Sequence, residues 1–168
     1  MSAFYEFDNV DAFTVGTVGR PGERTFYLQA RSAGDRVSIK CEKQQAAAMV
    51  QYLRRVLSDL PPPDDRPIAG ALELATPVEA AFVLGPIGLG YDRSSDRILI
   101  QLEEVSEVDD EGEPLDDQDL GHVRLYVERG QATAFCDQAD LAIEAGRPDC
   151  QWCSNPIDPD GHACPRMN

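Results

Sequence analysis

The sequence predicts an α+β fold: internally duplicated β-β-β-α units forming an antiparallel sheet with helices packed on it, then a small zinc-ribbon-like knuckle. Three observations lead there. Two stretches of the chain read alike, an apolar stripe at helical spacing follows each stretch, and the composition changes abruptly near the C-terminus. The predicted organisation is a first unit at 1–60, a connector at 61–77, a second unit at 78–146 and a knuckle at 147–168.

The two units match best where a strand leads into a helix. Residues 37–46 align with 123–132, and valine, glutamate, a basic residue, glutamine and alanine fall in step. Two earlier runs also match, 13–19 with 82–88 and 25–29 with 98–101. Turns rich in Gly, Pro and Asp separate these runs, as is typical of short strands. A pseudo-twofold axis between the units is the natural expectation.

The spacing between matched positions grows along the chain. It is 69 residues from Gly16 to Gly85, 72 from Gln29 to Gln101 and larger at the third strands. The last increase comes from an acidic loop, 106–119, in the second unit. Its pattern lacks the glycine and closing glutamate of an EF-hand loop, so we expect a mobile, solvated hairpin tip rather than a calcium site.

Apolar stripes predict one helix per unit. The stripes comprise Met49, Val50, Leu53, Val56, Leu57 and Leu60 in the first unit, and Phe135, Ala139, Ala142 and Ile143 in the second. Pro61 ends the first helix, because proline lacks the amide donor and disfavours helix in the preceding residue. Gly146 and Pro148 end the second. The proline- and aspartate-rich connector is predicted to be extended, with a short helical or strand piece within 68–75.

The formal net charge is −15. That charge argues against nucleic acid and against an anionic membrane surface, both of which need clustered Lys and Arg. It permits a basic protein partner. No apolar run is long enough to span a membrane, and the acidic N-terminus lacks the basic region of a signal peptide, so we expect a cytoplasmic protein. Stable disulfides are rare in that compartment, so the five cysteines need another explanation.

Four residues of the tail predict one structural Zn²⁺ ion. Cys150 and Cys153 form a Cys-x-x-Cys pair, and His162 and Cys164 offer a second pair after eight intervening residues. Three thiolates and an imidazole favour tetrahedral zinc, and four filled positions favour a closed site over a catalytic one. A redox pair and an iron–sulfur site remain as less favoured alternatives. The other two cysteines, Cys41 and Cys136, are expected to be small buried hydrophobic residues.

Several motifs resemble the actinobacterial DUF3090 family of uncharacterised proteins. The motifs are Gly-Thr-Val-Gly-Arg-Pro-Gly-Glu-Arg-Thr-Phe-Tyr-Leu-Gln-Ala at 16–30, Glu-Lys-Gln-Gln at 42–45, Gly-Leu-Gly-Tyr-Asp at 88–92 and Ala-Gly-Arg-Pro at 145–148. The resemblance implies a tail that typically begins Cys-Pro-x-Cys-Gly. Here Gln151 and Trp152 intervene, and Ser154 stands where glycine is usual, which implies a somewhat lower affinity for the metal. Family members are often encoded beside a histidine-phosphatase-like and a lipid-kinase-like protein, which implies a shared pathway or complex.

No catalytic set can be assembled, and the sequence favours a non-enzymatic role. Glu42 and Gln45 match Glu128 and Gln131, and the acids suit helix N-termini. With Arg24, these residues are also the weak candidates for a ligand cleft between the units. We therefore expect a zinc-binding adaptor protein acting through a protein partner; the alternative is an enzyme or small-ligand binder using that cleft. The sequence does not fix the oligomeric state.

Overall fold

A computed structural model describes residues 4–20, 22–115, 118–145, 150–155, 157 and 161–166. Within these residues the chain forms seven strands and two helices, which confirms the α+β class. The elements are β1 (Phe4–Phe7), β2 (Ala12–Val18), β3 (Thr25–Ser32), β4 (Asp35–Cys41), α1 (Lys43–Ser58), β5 (Ala80–Asp92), β6 (Arg97–Glu104), β7 (His122–Glu128) and α2 (Arg129–Glu144). The predicted helix-ending residues Gly146 and Pro148 lie outside the described residues. No helix of the described chain is long and apolar enough to cross a membrane.

All seven described strands belong to one sheet, in the order β1-β7-β6-β5-β4-β3-β2. Consecutive strands pair antiparallel within 12–41 and within 80–128, as the sequence predicts. The two halves join through a parallel pair, β4 with β5, and β1 pairs parallel with β7. The sequence did not predict these parallel joints. The β4–β5 pair is parallel because α1 and the connector carry the chain back to the end of the sheet at which β4 begins.

The sheet must be strongly curled. Its two edge strands, β1 and β2, are linked only by residues 8–11. Five residue steps span at most about 18 Å, whereas the edges of a flat seven-stranded sheet lie about 28 Å apart. The edges therefore approach each other. β1 pairs with β7, the last strand of the second half, and β2 begins the first hairpin of the first half, so β1 and β2 connect the two ends of the sheet.

One face of the sheet and both helices form a single hydrophobic core. Alternate residues of every strand point into it, and α1 contributes Met49 and Leu53 from its predicted stripe. In α2, Phe135 is completely buried and stacks on Phe13, with ring centroids 4.6 Å apart. Each fully buried side chain of this size contributes about 2 kcal/mol of transfer free energy. The prediction of helices packed on the sheet is confirmed.

The halves share element order and pairing register. Ala30 lies opposite Val37, and the positions 72 and 86 residues later, Leu102 and Val123, also lie opposite each other. Gly16 lies opposite Tyr27, and the counterpart of Tyr27 in β6, Leu99, lies opposite Gly90. By strand pairing, the counterpart of Gly16 is therefore Gly90 and not Gly85. The shift arises because the loop between β2 and β3 is longer than the loop between β5 and β6. Origin by duplication stays a prediction.

The connector crosses the first half of the sheet, β2–β4, on the face that points away from the helices, which we call the outer face. It holds a short 3₁₀ helix, Ala69–Leu72, within the segment where the sequence allowed a helical piece. The following residues lie across β2, β3 and β4. There, Arg36 Nη2 donates to Pro77 O at 3.1 Å. The first half of the sheet is therefore covered on both faces.

The acidic loop forms a hairpin in its described part. Val108 and Pro114 make an isolated antiparallel bridge. Asp109 Oδ1 accepts hydrogen bonds from the backbone N–H groups of Glu111 and Glu113, both at 2.9 Å. The carboxylate therefore stabilises its own turn, an Asx-type arrangement, instead of facing a shared cation position. The predicted hairpin tip is present, and its mobility stays a prediction.

Candidate metal centre

The backbone makes a tight turn around the first cysteine pair. Ser154 N donates to Cys150 O at 2.8 Å, and Cys150 N donates to Asn155 O at 2.8 Å. Ser154 completes the turn in the left-handed region, with φ of 63°. A residue with a Cβ is disfavoured there and glycine is not, which explains why glycine suits this position. The turn brings the two cysteine side chains to the same side of the chain.

The second pair of predicted ligands meets the first. Cys153 Sγ lies 3.4 Å from His162 Nε2, and Cys150 Sγ lies 3.9 Å from Cys164 Sγ. All four potential ligand atoms lie within 4.8 Å of one another. The four residues singled out from the sequence therefore form one cluster that could hold a metal ion.

The separations fit a tetrahedral ion. Zinc–sulfur and zinc–nitrogen bonds of about 2.3 and 2.0 Å put sulfur atoms about 3.8 Å apart, and sulfur and nitrogen about 3.5 Å apart. The Cys150–Cys164 and Cys153–His162 separations, 3.9 and 3.4 Å, are close to these values. A carboxylate-preferring ion such as Mg²⁺ or Ca²⁺ would find no oxygen ligand in this set.

The local environment prepares one thiol for ionisation. Backbone N–H groups of Cys153 and Trp152 point at Cys150 Sγ and lower the pKa of that thiol. For Cys153, the Asn155 N–H favours the thiolate, but burial and the neighbouring thiols outweigh it and raise the pKa. Several thiolates in one cluster repel each other, so a bound cation is the natural way to hold all three deprotonated.

The two remaining cysteines are unsuited to metal binding or nucleophilic chemistry. Burial raises the pKa of Cys41 to about 12 and that of Cys136 to about 11. Both side chains lie in the hydrophobic core. They remain protonated at neutral pH and behave as small apolar residues, as the sequence predicts.

The other candidate residues are distributed over different surroundings. Arg24 and Glu42 line a cavity of about 450 Å³ at the start of α1. Glu128 lines a second cavity, of about 240 Å³, at the start of α2. The two cavities have no lining residue in common. The acids and Arg24 that were considered for one shared cleft therefore occupy two separate places.

Each glutamine of the candidate set stabilises a helix start. Gln45 Oε1 accepts from Glu42 N at 2.8 Å and Gln131 Oε1 accepts from Glu128 N at 2.9 Å, completing a capping box at each helix.

The glutamine amides also connect the halves. Gln45 Nε2 donates to Leu84 O at 3.0 Å, and Gln131 Nε2 donates to Val10 O at 2.6 Å. Leu84 lies 74 residues after Val10, the same spacing as between Gly16 and Gly90 in the ladders. The two glutamines therefore have equivalent partners, each in the opposite half. This structural role accounts for their pattern in the sequence.

The second cavity contains an arginine that the sequence did not single out. Arg129 Nη2 lies 3.1 Å from Asp96 Oδ2, and Arg129 Nη1 donates to Pro62 O at 3.1 Å. The residue thus joins the start of α2 to the β5–β6 hairpin and to the connector. Its partners are 33 and 67 residues away, so no local motif could have indicated the contact.

Comparison with known proteins identifies a family and no characterised relative. The family described as "Protein of unknown function (DUF3090)" matches residues 5–164, which include all four clustered ligands. Comparisons with curated proteins and with solved structures gave no match.

Proposed function

We propose that this chain, which belongs to the DUF3090 family, is a zinc-binding adaptor that acts through a protein partner. The cluster of Cys150, Cys153, His162 and Cys164 carries the proposal. Three thiols and one imidazole match the preference of Zn²⁺ for sulfur and nitrogen ligands. Four protein ligands leave no open coordination position, so the ion is structural and supplies no reactive water.

The metal would give the tail its stability. Structural zinc contributes about 10–16 kcal/mol in small peptides at neutral pH, enough to order a segment without a core of its own. Among the described tail residues, only Cys150 and Cys164 are buried, and both belong to the cluster. Removing the ion would therefore remove the main interaction that fixes this segment.

Trp152 suggests what the ordered tail presents. It lies between the two cysteines of the first pair, and 55% of its surface is exposed. Tryptophan is enriched among the residues that dominate protein interfaces, because one rigid side chain buries a large apolar area. Zinc binding would hold this side chain at a fixed place on the surface. This arrangement supports contact with a protein rather than catalysis.

The alternative roles have weaker support. An enzyme or small-ligand binder needs its polar groups around one cavity, and Arg24 with Glu42 lie apart from Glu128. Binding to nucleic acid would have to overcome a net charge of −15. A basic protein surface suits that charge.

The test is partner recovery from the native host with a tagged chain, comparing wild type with three variants. Cys153→Ser removes a ligand, and Trp152→Ala keeps the ligands but removes the exposed ring. Tyr52→Ala is the control, because Tyr52 is a comparably exposed aromatic residue (57%) on α1 and not part of the tail. We expect one protein to be recovered with wild type and Tyr52→Ala and lost with the other two. Recovery of no partner, or of the same partner with all four chains, would contradict the proposal.

A further inference from the structure

In the first half of the sheet, the outer face binds an extended segment of the connector, residues 71–77. Gln29 Nε2 donates to Ala75 O at 3.0 Å, and Ala75 N donates to Gln29 Oε1 at 2.7 Å. Gly16 makes room for a side chain: a Cβ at this position would lie 2.6 Å from Leu74 Cγ. The space over Gly16, which we call the glycine slot, thus holds Leu74, and the Gln29 amide binds both the N–H and the C=O of the next residue, Ala75.

Other groups of the same face bind the main chain of the segment. Thr14 Oγ1 donates to Leu72 O at 2.7 Å, and Arg31 Nη2 donates to Ala71 O at 2.9 Å. Arg36 donates to the carbonyl of Pro77 at the far side, over β4. The segment therefore crosses the strands from β2 to β4, and most of its recognition is directed at backbone groups.

The second half carries the counterpart of this surface, which we call the second outer face. By the register of the ladders, its residues Gly88, Gly90, Gln101, His122 and Arg124 correspond to Thr14, Gly16, Gln29, Arg36 and Ser38. The glycine slot and the glutamine recur at the same relative positions. Two further donors, an imidazole and a guanidinium, lie where the first face has Arg36 and Ser38.

The second outer face has no segment on it among the described residues. A Cβ on Gly90 would meet no described atom within 4 Å. The side chain of Gln101 makes no hydrogen bond to any described residue, although its counterpart Gln29 makes three. In the described chain, three buried side-chain nitrogens lack a hydrogen-bond partner, and two of them are Arg124 Nε and His122 Nε2.

Buried nitrogens without partners are costly, but the third of them, Arg31 Nε, lies on the covered first face. What distinguishes the second outer face is the combination of its two nitrogens with the open space over Gly90 and a Gln101 amide that has no partner among the described residues, and this combination points to a missing ligand. We propose that the second outer face binds an extended peptide from a partner protein, with an aliphatic side chain over Gly90 and the main-chain N–H and C=O of the next residue on the Gln101 amide. The proposal rests on the proposed function only in taking a protein as the partner. It adds a binding surface on the body of the molecule, distinct from the tail.

Charged side chains of the second outer face near β7 determine which residues suit the end of the peptide that crosses this strand. The Arg97 and Arg124 guanidinium groups lie 4.6 and 5.8 Å from the ring centroid of Tyr126. The acids of this face, Glu6 and Glu103, are both exposed and lie opposite Arg124 and His122 in the ladders. If the peptide runs as the connector does, its C-terminal residues lie over His122 and Glu103, the counterparts of Arg36 and Arg31, whereas Arg97 lies beyond Gly90 at the other end of the face. Acidic residues after the aliphatic one would face Glu103 and Glu6, so an uncharged end such as Thr-Pro suits this surface better.

Two segments of the chain itself are poor occupants. The connector already fills the first face through Leu74 and Ala75. The acidic loop is folded on itself, since Gln118 Nε2 donates to Leu115 O at 2.8 Å and to Glu107 O at 3.0 Å. A peptide from a partner satisfies the free groups without undoing either arrangement.

The test uses purified full-length chain and two fluorescent peptides. One has the sequence of residues 70–77, Gly-Ala-Leu-Glu-Leu-Ala-Thr-Pro; the other ends in two aspartates instead of Thr-Pro. Fluorescence anisotropy measures affinity, and amide chemical shifts of labelled protein locate the site. We expect saturable binding, tighter for the peptide that ends in Thr-Pro than for the one that ends in two aspartates, with shifts concentrated at Gly88, Gly90 and Leu99.

Two variants and a control test the contacts separately. Gly90→Leu fills the slot and Gln101→Ala removes the amide, so each should weaken binding about tenfold. Gln51→Ala, the same truncation on the exposed side of α1, should leave the affinity unchanged. Absence of saturable binding, or affinities unaffected by both face variants, would overturn the proposal. Cys153→Ser should still bind the peptides, so this result and that of the tail experiment can fail independently.

Discussion

The side-chain amide of Gln29 and the main chain of Ala75 form a reciprocal pair of hydrogen bonds, 3.0 and 2.7 Å long, in a buried setting. This pair fixes the connector on the outer sheet face. Gln101 occupies the equivalent position in the second half without such a partner among the described residues. The same residue type thus occurs twice at equivalent positions, once hydrogen-bonded to the connector and once without a partner in the described part of the chain.

This contrast predicts different costs for the same substitution. Gln29→Ala leaves two main-chain groups of Ala75 without partners and should lower the free energy of unfolding by about 2 kcal/mol. Gln101→Ala removes no side-chain hydrogen bond to the described residues and should cost less than about 0.5 kcal/mol. Urea denaturation of both variants measures the difference. Equal losses of unfolding free energy in the two variants would show that the hydrogen bonds of Gln29 to the connector do not stabilise the fold.

The helix-start glutamines provide a second matched test. Gln45→Ala and Gln131→Ala each remove a capping-box acceptor and a hydrogen bond to the opposite half. Each should lower the free energy of unfolding by about 1–2 kcal/mol, and by similar amounts. Gln44→Ala is the control, because Gln44 is exposed in the same helical turn. Since alanine favours helix at least as well as glutamine, the control should lose no stability, and a loss as large in the control would show that the capping and inter-half hydrogen bonds are not the cause.

Local sequence patterns predicted the helices and the knuckle, but they did not predict contacts between residues that are far apart in the sequence. The stripe of α1 and the spacing of the four ligands are complete within short stretches. β1 is only four residues long and is ordered by pairing with β7, more than a hundred residues away. Such a strand carries too little alternation to be recognised alone.

The register of the strands was the other feature that the sequence could not predict. Gly16 and Gly85 look alike in sequence, yet the ladders match Gly16 with Gly90. Hairpin loop length sets the register, and the similarity of two short glycine runs carries no information about it. For the same reason the sequence could not reveal that Gly90 and Gln101 repeat the arrangement of Gly16 and Gln29.

The left-handed residue of the knuckle predicts a gain in metal affinity. Ser154 has φ of 63°, where a Cβ costs about 1 kcal/mol relative to glycine. Ser154→Gly should therefore tighten zinc binding about fivefold. Competition with a chromophoric chelator measures the change, and Ser106→Gly, outside the knuckle, is the control. An unchanged or weaker affinity for Ser154→Gly would contradict this explanation.

The buried thiols predict a loss of stability in alkaline solution. Burial raises the pKa of Cys41 to about 12 and of Cys136 to about 11, so both stay protonated when folded. The unfolded chain loses these protons from about pH 9, so the free energy of unfolding should fall with rising pH. The slope is about 1.4 kcal/mol per pH unit for each thiol, up to the folded-state pKa.

Denaturation at several pH values measures that slope. Wild type and the double variant Cys41→Ala, Cys136→Ala share all other titrating groups, including those of the tail. The double variant should be less stable at pH 8, because two core side chains are shortened, but should lose less stability between pH 9 and 11. Parallel curves for the two proteins would show that the thiols do not titrate as described.

The most direct test is the metal content of the purified chain. Wild type and Cys41→Ala should each contain about one zinc ion per chain, since Cys41 lies in the core and not in the cluster. Cys150→Ser and Cys153→Ser should contain little zinc. A wild-type protein without zinc, or cysteine variants that retain it fully, would contradict a zinc centre formed by Cys150, Cys153, His162 and Cys164.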